Sequence, residues 1–271
     1  MNNLIIVRGG GDLATGTIYK LHKCGFPVLV LEVARPSAIR RNAAFSEAVY
    51  EGAQTVEDVT CYLADSIGEA EKLLVAGKLT MLVDPKGKAI TELNPLAVVD
   101  AILAKKNLGT NKEIAPITVA LGPGFEAGTD VDAVVETQRG HNLGRVLWKG
   151  NAAPNTGIPG MIAGYGKERV IYSPAAGILR NVCRITDTVK KGETIAIIET
   201  ETEKIPVAAT LDGLLRGLLR DGYPVPEGFK IADIDPRTEE YNNCFTISDK
   251  SRCIAGGVLE AILFRKGALG L

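Results

Sequence analysis

The sequence is poor in several residue types that particular functions require. Its 271 residues include only five cysteines, two histidines and one tryptophan, and 5% of them are aromatic. The cysteines are scattered and form no Cys-x-x-Cys pair, which disfavours a disulfide framework or a zinc knuckle. Two histidines cannot build a multi-histidine metal site within one chain, and so few aromatic residues disfavour a base-stacking platform.

An excess of charge and long apolar runs are also lacking. The net charge is −1, so there is no global basic field and we expect no nucleic-acid partner. No apolar run reaches membrane-spanning length, and the first residues lack a signal-peptide pattern, so we expect a cytoplasmic protein with no membrane partner. Hydrophobic residues make up 46% of the chain, which is enough for a sizeable core.

The most informative stretch lies at the start of the chain. Residues 4–7 form an apolar, β-branched run that predicts a buried parallel strand, and a glycine cluster and a helical pattern follow. Gly9, Gly11 and Ala14 fit the spacing of a dinucleotide-binding turn, in which backbone N–H groups and a helix N-terminus face a phosphate. Asp12 disagrees, because a carboxylate there would repel a phosphate. The alternative is a tight turn with no ligand.

Charged residues follow at the predicted ends of the first strands. Glu32 ends the second apolar run and suits either a ribose hydroxyl contact or a solvated strand end. Arg35, Arg40 and Arg41 suit either a phosphate or carboxylate ligand or an exposed helix face. The candidate cofactor-binding residues are Arg8, Gly9, Gly10, Gly11, Asp12, Glu32, Arg40, Arg41, Gly122 and Gly124.

The polar turn at residues 137–141 supplies the candidate catalytic residues, His141 and Arg139. A histidine titrates near neutral pH and can act as a general acid or base, although a single histidine is also common as a structural residue. Three carboxylates lie nearby, at Asp130, Asp132 and Glu136. Their spacing is a weak indication of magnesium binding, so we predict no metal ligand.

Strand and helix patterns alternate over residues 1–121. Apolar runs predict strands at 79–83 and 117–121, and Ser66 with Glu69 predicts a capped helix over 67–76. Asn94 and Pro95 predict a helix start, with the helix running to residue 106. This alternation is typical of a Rossmann-like parallel sheet.

Residues 174–235 contain an internal repeat at a constant offset. Residues 177–180 match 213–216, and the Val-x-x-Gly turn at Val189 recurs at Val225. Two such halves are typical of the biotinyl and lipoyl barrel-sandwich, whose carrier lysine lies in the hairpin between them. Here Thr202 takes that position and Lys204 comes two residues late, so we expect no lipoyl or biotin attachment.

We therefore expect an α/β protein in three parts. Residues 1–166 would form a Rossmann-like parallel-sheet domain, and 167–237 a small all-β barrel-sandwich module of the biotinyl/lipoyl type. Residues 238–271 would form a strand and a helix that return to the first domain. Within this helix, Gly256 and Gly257 lower helix propensity and indicate close packing against another backbone.

Several motifs together resemble one family, the accessory proteins of selenium-dependent molybdenum hydroxylases. The motifs are residues 8–16, 40–41 with 45–50, 122–125, 136–146 and 233–237. The resemblance runs almost end to end and implies a role in maturing a molybdenum enzyme, but no known reaction.

The predicted function is thus a maturation factor that binds a nucleotide or a phosphate-bearing, molybdopterin-type cofactor. Its partners would be a molybdenum hydroxylase client and this small molecule, and it could form homo-oligomers. The alternative is an enzyme, either an NAD(P)-dependent oxidoreductase or one that transfers a nucleotide or a chalcogen. Chalcogen transfer would need a reactive cysteine, for which Cys24 and Cys61 are the candidates in the first domain.

Overall fold

A computed structural model describes residues 3–157 and 160–271 of the chain. The chain forms two compact units. Unit 1 comprises Met1–Pro36, Ala44–Asn155 and Ile247–Leu271, and unit 2 comprises Ser37–Ala43 and Thr156–Thr246. Within the described ranges, no helix combines the length and the apolar character that crossing a membrane requires.

Unit 1 is built on a nine-stranded sheet. Its strands, with a separate pair formed by β8 and β11, are β1 (Ile5–Arg8), β2 (Val28–Glu32), β3 (Ala53–Val56), β4 (Val59–Ala64), β5 (Leu79–Val83), β6 (Ala97–Asp100), β7 (Ile117–Leu121), β8 (Glu126–Ala127), β9 (Ala133–Val135), β10 (Val146–Leu147) and β11 (Gly150–Asn151). The sheet order is β10-β9-β7-β6-β1-β2-β5-β4-β3. The inner pairs are parallel, while β3 and β10 pair antiparallel at the two edges.

Helices cover both faces of this sheet. They are α1 (Asp12–Lys23), α2 (Ala48–Glu51), α3 (Ile67–Val75), α4 (Lys88–Leu93) and α5 (Asp249–Leu269). On one face, Ile5 and Val7 of β1 pack with α1 and α5, and on the other face Leu4 and Ile6 pack with α3 and α4. Alternating residues of one strand thus serve two cores, as expected of a strand buried on both faces.

The helix ends follow from local chemistry. The Ser66 hydroxyl accepts a hydrogen bond from Glu69 N at 3.2 Å, which confirms the predicted cap of α3. Asn94, in contrast, ends α4 in the left-handed conformation with φ +46°. The predicted helix from Pro95 is therefore wrong, and Ala97–Asp100 forms strand β6 instead.

The prediction of a Rossmann-like parallel sheet is wrong. The sheet is mixed, because both edge strands run antiparallel to their neighbours. The chain also leaves β2 for the outer strands β3 and β4, and only then places β5 between β4 and β2. Between β6 and β7 a 3-10 turn at Lys112–Ile114 replaces a crossover helix. Apolar runs indicate which residues form strands but not their order or direction.

Unit 2 consists of two four-stranded antiparallel sheets. Its strands are β12 (Val170–Tyr172), β13 (Gly177–Asn181), β14 (Thr188–Val189), β15 (Thr194–Glu199), β16 (Lys204–Ala208), β17 (Gly213–Leu218), β18 (Pro224–Val225) and β19 (Lys230–Asp235). The orders are β12-β19-β17-β14 and β16-β15-β13-β18.

The internal repeat governs the strand pairing in unit 2. Strand β13 of the first half pairs with β18 of the second, and β17 of the second half pairs with β14 of the first. The prediction of a biotinyl/lipoyl barrel-sandwich is nevertheless corrected to two four-stranded sheets. One sheet takes in β12, which precedes the repeat, and Ser37–Ala43 belongs to the same unit. The internal repeat accounts for neither of these segments.

Helix α5 packs closely against α1 within unit 1. The Ser251 hydroxyl donates to Leu13 O at 2.8 Å and accepts from Gly16 N at 3.2 Å. A Cβ on Gly16 would overlap Ser251. The approach of the two helices therefore depends on a glycine at this position.

Candidate functional site

Strands β1, β2, β5 and β6 of unit 1 run parallel, so their carboxyl ends lie side by side. We call this end of the sheet its carboxyl edge, as distinct from the edge strands β3 and β10. The chain leaves β1 toward β2 on one side and later returns to β6 on the other side. Open α/β sheets bind ligands at such an edge, where the direction of the connections reverses. Residues 9–11, which we call the glycine turn, and Glu32 both lie there, so the carboxyl edge is the candidate site.

The glycine turn is shaped by close packing. Gly9 has φ +94°, and a Cβ there would lie 2.9 Å from Ala101 O. A Cβ on Gly10 would lie 2.8 Å from Met81 Cε and 3.2 Å from Ser46 N. Helix α1 begins directly after Gly11, so the predicted strand, turn and helix are present.

The carboxyl group of Glu32 lies at this turn. One oxygen accepts a hydrogen bond from Gly10 N at 2.9 Å, and the other accepts one from Val33 N at 2.6 Å. Burial raises the pKa of Glu32 above its usual value, and the two backbone hydrogen bonds oppose this rise without cancelling it. The Gly10 N–H, which the sequence pattern assigns to a phosphate, therefore donates to the Glu32 carboxylate instead.

Arg8 forms a buried ion pair with Asp100. Its guanidinium donates to the Thr110 hydroxyl and lies 3.6 Å from the Asp100 carboxylate. Thr110 in turn donates to Asp100 at 2.6 Å. All three residues are buried, and the cluster links the last residue of β1, Arg8, to the last residue of β6, Asp100.

Ser46 is a site residue that sequence reasoning missed. Its backbone N–H donates to Gly10 O at 2.8 Å, which places the residue directly against the glycine turn. Its side chain is fully buried, and the hydroxyl has no hydrogen-bond partner among residues 3–157 and 160–271. Most buried hydroxyls are paired, and Thr17 of α1 has another that is unpaired among the described residues. Ser46 is far from Gly10 in the sequence, and no local pattern indicates their contact.

The structure places Arg40 and Arg41 in unit 2, whereas the glycine turn belongs to unit 1. Arg40 donates to Asn243 O at 2.8 Å and to Thr246 O at 3.1 Å. Arg41 donates to Leu218 O at 2.8 Å. These arginines therefore hydrogen-bond to backbone carbonyls of unit 2.

Gly122 and Gly124 follow β7 with φ +72° and +112°. A Cβ on Gly122 would overlap the Thr137 hydroxyl, and one on Gly124 would lie 2.7 Å from Lys106 N. Both positions therefore need glycine for conformation and for packing within unit 1.

The candidate catalytic residues lie in the turn after β9. Arg139 pairs with Asp249 at the start of α5, at 2.7 and 3.1 Å. His141 is exposed in the same turn. Their predicted catalytic roles stay predictions.

The three carboxylates considered for magnesium point to separate partners. Asp130 accepts from Glu126 N, Asp132 from Thr118 and Arg265, and Glu136 from Gln138 N and Ala153 N. In the part of the chain that the structure describes, no group of three or more histidine, cysteine, aspartate or glutamate side chains could hold a metal ion.

Unit 2 contains a buried ion network in the motif at residues 233–237. Asp233 accepts from Arg169 at 3.1 Å and from Arg216. Asp235 accepts from Arg216 at 3.3 Å and from Arg237 at 2.9 Å. Asp235 is fully buried, and burial alone would raise its pKa, but the hydrogen bonds from Arg237 and the charges of Arg216 and Arg237 lower the pKa on balance. The network links the end of β19 to β17.

No family model matches the chain. The chain is 51% identical over 263 residues to the uncharacterized protein YqeB of Escherichia coli (strain K12). The match covers 97% of this chain and 48% of YqeB, so the chain spans about half the length of the curated relative it matches.

Solved structures give only a distant likeness. An aspartoacylase family protein of Mesorhizobium loti is 13% identical with a TM-score of 0.28, over 85% of this chain and 84% of that chain. A succinylglutamate desuccinylase/aspartoacylase of Rhodobacter sphaeroides is 13% identical with a TM-score of 0.27, over 86% and 85%. At these scores the likeness carries no argument about the chemistry of this chain.

The predicted function is corrected in both of its versions. Neither YqeB, which is uncharacterized, nor the distantly similar structures support either version. The glycine turn donates an amide to Glu32, which argues against the phosphate-bearing cofactor. Cys61 is fully buried and burial raises its thiol pKa, which makes it a poor nucleophile for chalcogen transfer. The resemblance to the accessory-protein family and the predicted partners stay predictions.

Proposed function

We propose that unit 1 binds a small polar molecule at the carboxyl edge of its nine-stranded sheet, beside the glycine turn. The observation that carries this proposal concerns Ser46. Its backbone N–H donates to Gly10 O, and its fully buried hydroxyl has no partner in the described part of the chain. Leaving a buried hydroxyl unpaired costs about 1–3 kcal/mol, and a ligand that pairs with it would recover that cost.

Two further features support binding at this edge. Each oxygen of Glu32 accepts one backbone hydrogen bond, and a carboxylate has about four acceptor positions in all, so capacity for a ligand remains. Helix α1 starts at the same place, and its first-turn amides have no partner within the helix. We also propose a cytoplasmic location, which the five free cysteines support.

Ser46→Ala tests the binding role. Without ligand, the variant is expected to be as stable as the wild type or about 1 kcal/mol more stable, because the unpaired hydroxyl is removed. Thermal unfolding is then measured with a panel of sugars, polyols, amino acids and small amines. A ligand at 100 times its Kd stabilises the wild type by about 2.7 kcal/mol, and the variant is expected to lose most of this gain.

Thr17→Val is the matched control. Thr17 lies in α1, is fully buried, and its hydroxyl also has no partner among the described residues. The control should gain similar stability and keep the whole ligand response. If Ser46→Ala is strongly destabilised, or keeps the full response, Ser46 has a different role and the proposal fails.

Glu32 gives a second expectation, for the pH dependence of stability. Because its pKa is raised on folding, the folded state takes up a proton at a pH where the unfolded chain is still ionised. The stability from this group is therefore lost as pH rises above the usual value of 4.5. From about pH 7 down to about pH 5, the wild type should gain unfolding free energy relative to Glu32→Gln in urea titrations.

Asp58→Asn is the control for this measurement. Lys23 and Tyr19 donate hydrogen bonds to Asp58 and lower its pKa to about 2, so it stays ionised in the folded state over this range. Its variant should run parallel to the wild type. A Glu32→Gln profile that is also parallel would show that Glu32 titrates normally.

A further inference from the structure

We infer that the ligand of this edge presents a hydroxyl or protonated amine to Glu32 and carries no phosphate. This inference rests on the proposed function, since it names the ligand class of the same site. It begins from the charges around the glycine turn. Asp12 is the first residue of α1, and the Glu32 carboxylate accepts from Gly10 N, so a carboxylate already takes an amide that a phosphate would use.

The nearest predicted positive charge does not face Glu32. Arg8 is committed to Asp100 and Thr110 inside the buried cluster. A phosphate at the turn would therefore compete with the Glu32 carboxylate for Gly10 N–H and would be repelled by the same group. Like charges brought together at a binding site are a strong element of specificity.

A hydrogen-bond donor meets the opposite conditions. Glu32 is an acceptor in its ionised form, and its charged form is disfavoured by burial, so a donor from a ligand stabilises it. Ser46 can donate and accept, and it lies against Gly10, which donates to Glu32. An alcohol or amine can donate a hydrogen bond to Glu32 and can also serve as the missing hydrogen-bond partner of the Ser46 hydroxyl.

Matched pairs of probes that differ only by a phosphate test this inference. The pairs are glycerol and glycerol 3-phosphate, D-ribose and ribose 5-phosphate, and ethanolamine and phosphoethanolamine. Binding is followed in the 271-residue chain through the backbone amide NMR signals of Gly10 and Val33, which donate to Glu32. At least one phosphate-free probe should shift both signals, and its phosphorylated partner should bind about tenfold more weakly or not at all.

Asp12→Asn separates charge from shape. Removing this carboxylate should narrow the difference within a pair several-fold, whereas Asp65→Asn, an exposed residue outside the turn, should leave it unchanged. Tighter binding of the phosphorylated member at the same two amides would overturn the ligand class and leave the binding site standing. Unchanged Gly10 and Val33 signals with all six probes would contradict the site itself.

Discussion

Asp235→Asn should be among the most destabilising single substitutions in unit 2, with an expected loss of about 3–5 kcal/mol of unfolding free energy. Asp235 is fully buried and accepts hydrogen bonds from Arg216 and Arg237. The neutral amide keeps the shape but leaves two guanidinium groups with less negative charge nearby. A buried charge that loses its partner pays its desolvation cost without compensation.

The measurement must report on unit 2. The single tryptophan, Trp148, lies in unit 1, so far-UV circular dichroism during urea unfolding is the appropriate signal. Asp212→Asn is the matched control, because Asp212 pairs with Lys190 on the surface and its removal should have a far smaller effect. Equal effects of the two substitutions would show that the buried network does not stabilise the unit.

Acidification should reproduce part of this loss. Because the pKa of Asp235 is lowered on folding, its contribution is present above the usual value of 3.8 and is lost as pH falls through the lowered value. The Asp235→Asn variant should therefore lose less stability in acid than the wild type does. Proton-linked unfolding that is identical in both proteins would contradict the lowered pKa.

Local patterns predicted the parts of the fold that depend on local chemistry. The apolar runs at Leu79–Val83 and Ile117–Leu121 form β5 and β7 with the predicted bounds. The cap at Ser66 is also confirmed. The signal at Asn94 misled, because asparagine favours both a helix start and a left-handed helix end, and the following proline strengthened the wrong choice.

Long-range pairing could not be predicted in the same way. The segment Ser37–Ala43 belongs to unit 2, where Leu218 N donates to Ile39 O at 2.8 Å. A backbone hydrogen bond of this kind is available to almost any residue and leaves no trace in the sequence. The mixed sheet order of unit 1 has the same cause, since strand identity does not fix strand neighbours.

The candidate site likewise contains residues that local patterns predict and residues that only the folded chain brings together. Gly9, Gly11 and Glu32 are predicted from their spacing, because a tight turn and a strand end are local features. Ser46, and the contact of Arg8 with Asp100 and Thr110, required the folded chain. These long-range contacts also change the chemistry expected at the turn. The sequence predicts backbone amides and arginines that bind a phosphate, whereas the proposed site offers the Glu32 carboxylate to a hydrogen-bond donor.

Gly257→Ala and Gly256→Ala should change the stability of unit 1 in opposite directions, although the two residues are adjacent in α5. A Cβ on Gly257 would overlap Gly144 O and lie 2.9 Å from Val135 Cγ1, so the helix would have to move away from the sheet. Such overpacking is expected to cost about 1–3 kcal/mol. A Cβ on Gly256 would meet only the flexible end of Lys20, at 3.8 Å, and alanine should gain up to about 1 kcal/mol in helix propensity.

This pair isolates close packing from helix propensity, since both substitutions improve propensity equally and only one creates a clash. Urea unfolding followed by the fluorescence of Trp148 reports on unit 1, which contains α5. Gly267→Ala is a second control, because no atom outside its own stretch of helix backbone lies within 4 Å of its Cβ position. If Gly257→Ala matched Gly256→Ala in stability, the sequence-based expectation that a glycine here serves close backbone packing would be wrong, and α5 would have room to shift on the sheet. A loss confined to Gly257→Ala would instead show that the contact between α5 and Gly144 fixes the helix on the sheet.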